Sequence, residues 1–253
     1  MKRIDFLGAP GVGKSTLYNA FLQKCSERYN LYSEFDARIK AVKNFNKIYG
    51  GKERLGIQLL LNLPKLRNPY VISIEDRIEK IHFEEYIKTL NELCSIVNEA
   101  FCQSTKDNYR RQYGYISFNK KLKIYCSLDN YFNGIMTSDE SLSQKVYGIL
   151  PCDEIKEEIV NEYFQKIPEP EKLIYCFTEP EKIVDRIIGR KKRIPSHRNK
   201  DRDELFEKTK IALEIAEIGA NILSKRGVEI VEIGMDKKIS INVDKIISVL
   251  YNK

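Results

Sequence analysis

A run near the start of the chain, Gly8-Ala9-Pro10-Gly11-Val12-Gly13-Lys14-Ser15-Thr16, satisfies G-x-x-x-x-G-K-[ST] and constrains the fold more than any other feature. Its glycines let the backbone curl until successive N–H groups converge, the arrangement that wraps phosphate oxygens, and it needs a strand before it and a helix behind it. Both are legible. Lys2 to Leu7 is a short apolar-rich run, and between Thr16 and Arg28 the residues Leu17, Ala20, Phe21 and Cys25 fall on one helical face. The motif therefore predicts that Gly8 to Thr16 cradle a nucleoside triphosphate, with Lys14 reaching the β- and γ-phosphates and the Ser15 hydroxyl ligating Mg²⁺. ATP and Mg²⁺ are the expected cofactors.

Downstream, Leu31 to Phe35 reads as a second strand, and about a hundred residues of helical character follow. Glu53 to Leu63, Ile74 to Phe101 and Lys106 to Phe132 are expected helices, interrupted at Pro64 and Pro69. Phe118, Leu122, Tyr125, Leu128 and Phe132 recur at three- and four-residue intervals, which favours helix there despite the β-branched and aromatic content. From Gly134 short strands and helices alternate again. Ile135 to Ser138, Leu173 to Phe177 and Val228 to Ile233 are the strands. Glu140 to Leu150, Glu154 to Gln165, Glu181 to Gly189, Asp203 to Lys225 and Val243 to Leu250 are the helices. This order predicts an α/β P-loop three-layer sandwich: a five-stranded parallel sheet covered on both faces, with a helical insertion between the second and third strands. The expected division is a core of residues 1–40 and 133–253, an insertion of 41–132 that binds an acceptor, and a basic lid of 186–203.

Charge narrows the partners. The chain carries 43 Lys+Arg against 36 Asp+Glu, and Arg186 to Arg202 holds eight of the bases with one acid, so that segment accounts for the whole excess of +7. A nucleic-acid or membrane binder would spread its bases over a face, so neither is expected as a partner. No stretch approaches the roughly 18 consecutive apolar residues of a membrane span. Asp5 interrupts the only run that could serve as a signal peptide, and the six cysteines form no C-x-x-C pair. Reduced thiols in the cytoplasm and no zinc site follow as expectations, with a homodimer allowed.

Several nucleotide-hydrolysing classes share the loop, and other motifs separate them. A switch GTPase needs D-x-x-G after a later strand and N-K-x-D; Asn199-Lys200-Asp201-Arg202 breaks the second, and the only D-x-x-G precedes the loop. A transporter-type ATPase needs L-S-G-G-Q, whereas Leu142-Ser143-Gln144 has no glycines. Asp139-Glu140, closing the third strand, resembles a Walker B ending in which Asp139 holds Mg²⁺ and Glu140 polarises a water or an acceptor hydroxyl. The plainer alternative is a solvated helix N-terminus capped by Ser138 or Asp139.

The segment Leu173-Ile174-Tyr175-Cys176-Phe177-Thr178-Glu179-Pro180-Glu181, followed by Arg186, Arg190 and the basic run, completes the pattern. Strand, short helix, R-x-x-x-R, basic flap and long helix together resemble the LID region of nucleoside and nucleotide kinases, thymidylate kinase-like proteins in particular. The resemblance covers the phosphate loop, the third strand and the chain beyond it. It implies that Arg186 and Arg190, with Arg193 and Arg198 behind them, close over the donor phosphates and neutralise charge on the transferred group. It also implies a proton-accepting carboxylate after the second strand, where Glu34 and Asp36 stand, each of which reads equally as a solvated carboxylate. Thymidylate kinases carry an Asp-Arg pair where this chain has Asp139-Glu140, and the D-G-F-P-R of adenylate kinases is absent, which opens the acceptor to compounds other than nucleoside monophosphates.

On the acceptor side, Arg38, Arg77, Arg110 and Arg111 are candidate contacts. Arg110-Arg111 lies among Tyr109, Tyr113 and Tyr115, which reads either as a nucleobase or single-strand contact or as a helical face packing tyrosines. His82 reads as structural and His197 as part of the flap. The resulting expectation is ATP- and Mg²⁺-dependent phosphoryl transfer to a small hydroxyl-bearing metabolite such as a nucleoside, nucleotide or sugar. The alternatives are a P-loop ATPase that couples hydrolysis to a protein partner, with Asp139-Glu140 as its Walker B pair, and a polynucleotide end kinase.

Overall fold

A computed structural model of the chain describes residues 1–25, 30–49, 60–84, 86–88, 91, 95, 108–149, 156–191 and 197–251. The expected helices over Glu53 to Leu63 and Ile74 to Phe101, and the basic residues Lys192 and Arg193, lie wholly or partly outside these residues.

Five parallel strands form one sheet in the order β2-β3-β1-β4-β5: β1 (Lys2–Leu7), β2 (Leu31–Ser33), β3 (Ile135–Ser138), β4 (Lys172–Phe177) and β5 (Glu229–Gly234). β1 is central, and every residue after Lys2 is buried, because both of its faces are covered and both of its edges are paired. Register places Asp5 beside Ser138 on one side and beside Leu173 on the other. The carboxyl ends of β1, β3 and β2 therefore lie in a row, and the loops leaving them converge.

Alternation along the strands separates two cores. Ile4 and Phe6 of β1, with Ile174 and Cys176 of β4, face α1 (Lys14–Cys25), α7 (Pro180–Ile188) and α9 (Ile239–Tyr251). Leu7 and Leu173 face the larger cluster formed by α2 (Glu34–Tyr49), α3 (Pro64–Ile81), α4 (Asn108–Tyr131), α5 (Leu142–Ile149), α6 (Glu157–Lys166) and α8 (Arg202–Lys225). These helices reach the core through Phe45, Ile78, Phe118, Leu128, Tyr163 and Phe164, which are almost wholly excluded from water. The five-stranded parallel sandwich is thus observed, and Ile135–Ser138 matches its expected bounds.

Two local expectations change. The second strand stops at Ser33, because the Ser33 hydroxyl accepts the backbone N–H of Asp36 at 3.2 Å and so caps a helix beginning at Glu34. Phe35, expected in the strand, lies in that helix. Pro69 does not interrupt α3, which starts at Pro64 and continues through it to Ile81. Pro69 is the sixth residue of α3, so the carbonyl left without a donor is that of Lys65 in the first turn, which is exposed to solvent. Elsewhere the ends follow their signals: a reciprocal capping box of Asp201 and Glu204 opens α8, and Gly227, at φ +93°, follows its end.

Candidate active site

The phosphate loop joins β1 to α1. Gly11 and Gly13 both adopt φ +103°, a conformation that side chains other than glycine's rarely take. Gly8 is required for a different reason: a Cβ there would lie 2.6 Å from the Cys176 carbonyl oxygen of β4. The loop closes on itself through Val12 N–H to the Ala9 carbonyl at 3.1 Å and Thr16 N–H to the Gly13 carbonyl at 3.1 Å. Gln144 of α5 fixes its entry. The Gln144 amide donates to the Gly8 carbonyl at 3.1 Å, and its carbonyl accepts the Gly8 N–H at 3.2 Å.

Lys14, the first residue of α1, is 6% exposed. Its ammonium donates to the Asp139 carbonyl and lies 4.0 Å from an Asp139 carboxylate oxygen. Burial pulls its pKa below the ordinary lysine value, while Asp139 and Glu140 oppose that shift. A cavity of about 370 Å³ opens above the loop. Pro10, Gly11, Gly13, Lys14, Ser15 and Thr16 form one wall, Tyr113, Gly114 and Ser117 of α4 another, and Glu140, Lys145, Tyr147 and Arg190 close it. Glu140 is 60% exposed on its side chain and pairs with Lys145 at 3.3 Å.

The two arginines expected in a lid differ, and Arg186 lies within α7. Arg190 is exposed on the cavity wall. Arg186 is half-buried and donates to the Val12 carbonyl of the loop at 2.6 Å and to the Met235 carbonyl after β5 at 2.9 Å. It braces the cradle, with guanidinium N–H groups to spare. Arg198 is exposed, and Arg193 lies outside the described residues.

On the β2 side, Glu34 opens α2 at the carboxyl edge of the sheet. Its Oε2 accepts from Ser138 Oγ at 3.0 Å and from Lys121 of α4. Asp36 is exposed and turned back to Ser33, whose hydroxyl donates to it at 2.6 Å. The structure therefore separates two carboxylates that looked equivalent in sequence. Arg38 is held by buried Glu75 in a two-pronged pair at 2.7 and 2.8 Å, and Arg77 stacks over Phe45 at 5.7 Å. The side chains of Tyr109, Arg110 and Arg111 lie outside the described set. His82 bonds the Tyr131 hydroxyl at 3.0 Å, in keeping with its structural reading.

Behind the site, Asp5 is wholly buried between Arg3, at 2.8 Å, and the Ser143 hydroxyl, also at 2.8 Å. The Arg3 guanidinium stacks on Tyr125 at 4.4 Å, so β1, α4 and α5 share one satisfied polar cluster.

Magnesium fits the donors present. Ser15 and Asp139 offer hard oxygen ligands beside Lys14, and among the described residues no group of three or more His, Cys, Asp or Glu forms an all-protein cage. An ion here would take most of its ligands from phosphate and water, as Mg²⁺ does.

Sequence reasoning missed Lys121, Ser138 as a partner of Glu34, and Gln144. Lys121 carried a readable signal: it falls on the stripe of Phe118, Leu122 and Tyr125, where a buried ammonium requires a carboxylate.

Sheet order, loop and cradle together define an α/β protein of the P-loop class. No family model and no curated protein matches the chain. Among solved structures, shikimate kinase from Bacteroides thetaiotaomicron is similar at 14% identity, with 98% of each chain covered and a TM-score of 0.42.

Proposed function

We propose that this chain is an ATP- and Mg²⁺-dependent phosphotransferase acting on a small hydroxyl-bearing metabolite such as a nucleoside, nucleotide or sugar. The observation that carries this reading is a continuous line of contacts along the sheet edge, from Lys14 to Asp139, through adjacent Ser138, to Glu34. One end is a polyphosphate cradle, and the other is a carboxylate able to take a proton. A hydrolysing ATPase needs the glutamate after the Walker B aspartate at the metal, and here Glu140 is solvated and paired with Lys145.

In this reading the N–H groups of Gly11, Gly13, Lys14 and Ser15 and the Lys14 ammonium hold the β- and γ-phosphates, and the start of α1 adds its positive end. Ser15 and Asp139 would hold Mg²⁺, which supplies charge neutralisation at the phosphates. Arg190 neutralises charge on the transferred group, while Arg186 keeps the cradle in shape and contributes its remaining donors. Glu34 orients the acceptor hydroxyl and accepts its proton. Glu140, on the cavity wall, contacts the acceptor's polar groups, and Asp36 serves α2 rather than the reaction.

The test is to incubate the protein with ATP, Mg²⁺ and a metabolite pool and to search by mass spectrometry for a species heavier by one phosphoryl group. ADP accumulating with no phosphorylated metabolite would instead favour hydrolysis.

A further inference from the structure

We propose that Lys121, on insertion helix α4, is a positioning residue for phosphoryl transfer: it holds Glu34 by one carboxylate oxygen so that the other faces the acceptor hydroxyl. The proposal rests on the kinase reading above.

Lys121 is 6% exposed, which no ammonium tolerates without a partner. That partner is Glu34 Oε2, and Ser138 Oγ donates to the same oxygen at 3.0 Å. Glu34 Oε1 takes no hydrogen bond among the described residues. The carboxylate is therefore anchored from one side and open on the other. The anchor cannot roll away, because Phe118, Leu122 and Tyr125 on the same stripe of α4 are buried in the core. An ion pair serving only to tie α4 to α2 could close anywhere along those helices. This one closes at the first residue of α2, at the sheet's carboxyl edge, against the residue preceding Asp139.

In the step this arrangement serves, the acceptor oxygen attacks the γ-phosphorus as its proton passes to Glu34 Oε1. The bond from that phosphorus to the β,γ-bridging oxygen breaks, ADP leaves with the electron pair, and Glu34 returns the proton to water. Lys121 touches no reacting atom. The helical insertion thereby contributes to catalysis as well as enclosing the acceptor.

The experiment uses the whole chain, radiolabelled ATP, Mg²⁺ and a fixed panel of nucleosides, nucleotides and monosaccharides, followed by steady-state kinetics with the best acceptor. Lys121→Met is expected to lower kcat by about ten- to a hundredfold with the KM for ATP unchanged, and Lys121→Arg to recover most of that loss. Glu34→Gln/Lys121→Met should be no slower than Glu34→Gln alone, because a positioning residue has nothing left to position. Thermal melting of each variant identifies a fold defect, and Lys121→Arg keeps the test decisive if Lys121→Met unfolds. A kcat within twofold of wild type in Lys121→Met, or losses that multiply in the double variant, overturns the proposal while leaving the kinase reading in place. A panel yielding no phosphorylated product, despite ATP turnover, removes the kinase reading and this proposal together.

Discussion

Gln144 shows how much one side chain can determine at this site. Its carboxamide satisfies both the donor and the acceptor of Gly8, much as a neighbouring strand would, and so fixes where the cradle begins. In Gln144→Leu the buried Gly8 N–H loses its partner, at a cost of about 1–3 kcal/mol, or the loop shifts to find water. Binding of Mg²⁺-ATP, measured by calorimetry, is expected to weaken by about tenfold; unchanged affinity would mean that the loop holds its shape without this brace. The thiols offer a separate check. Burial pushes Cys25 up to about 11 and Cys176 up to about 12, whereas Cys126 is only partly covered. At pH 8 iodoacetamide should modify Cys126 well before the other two, as read by peptide mass spectrometry. Equal rates would show that the sheet opens on the labelling timescale.

Among the elements, α6 and α8 pack tightly against each other. A Cβ on Gly219 of α8 would lie 2.3 Å from the ring of buried Phe164 on α6, and the ring has no solvent to move into. Gly219→Ala is expected to cost about 1–3 kcal/mol through this overpacking, despite alanine's better helix propensity. Urea denaturation checks it, and a stabilised variant would show that the two helices separate easily. Element type was largely legible because two different signals were present: β1 and β4 are short apolar runs buried on both faces, and the long helices α4 and α8 repeat apolar residues every three to four. The start of α2 was not. Leu31 to Phe35 reads as a short strand, and what ends it is a side-chain cap from Ser33, whose geometry no pattern displays. The same limit governed the site. The cradle is contiguous in sequence and could be read there. The contact that sets Glu34 apart from Asp36 comes from Lys121, which is distant in sequence, and the surroundings of Arg186 and Arg190 divide only when Val12 and Met235 are seen beside the first.

The whole molecule shows why the charge is concentrated in one segment. Parallel strands bring the loops after β1, β2 and β3 to one edge, and Arg190, just after α7, lines the cavity at that edge. Part of that segment is already used for structure: Arg202 pairs with Asp185 at 2.8 Å, and Lys200 lies 3.9 Å from Glu204. These exposed pairs add little stability. In the function proposed above, Lys14 and its cradle deliver a phosphoryl group to an acceptor rather than to water. The most direct measurement is ADP release from Mg²⁺-ATP with and without a metabolite pool, in the wild type and in Lys14→Ala. The account predicts release that rises several-fold with the pool in the wild type and falls by about a thousandfold or more in a Lys14→Ala protein of nearly unchanged melting temperature. Turnover indifferent to the pool, or undiminished in Lys14→Ala, would contradict it.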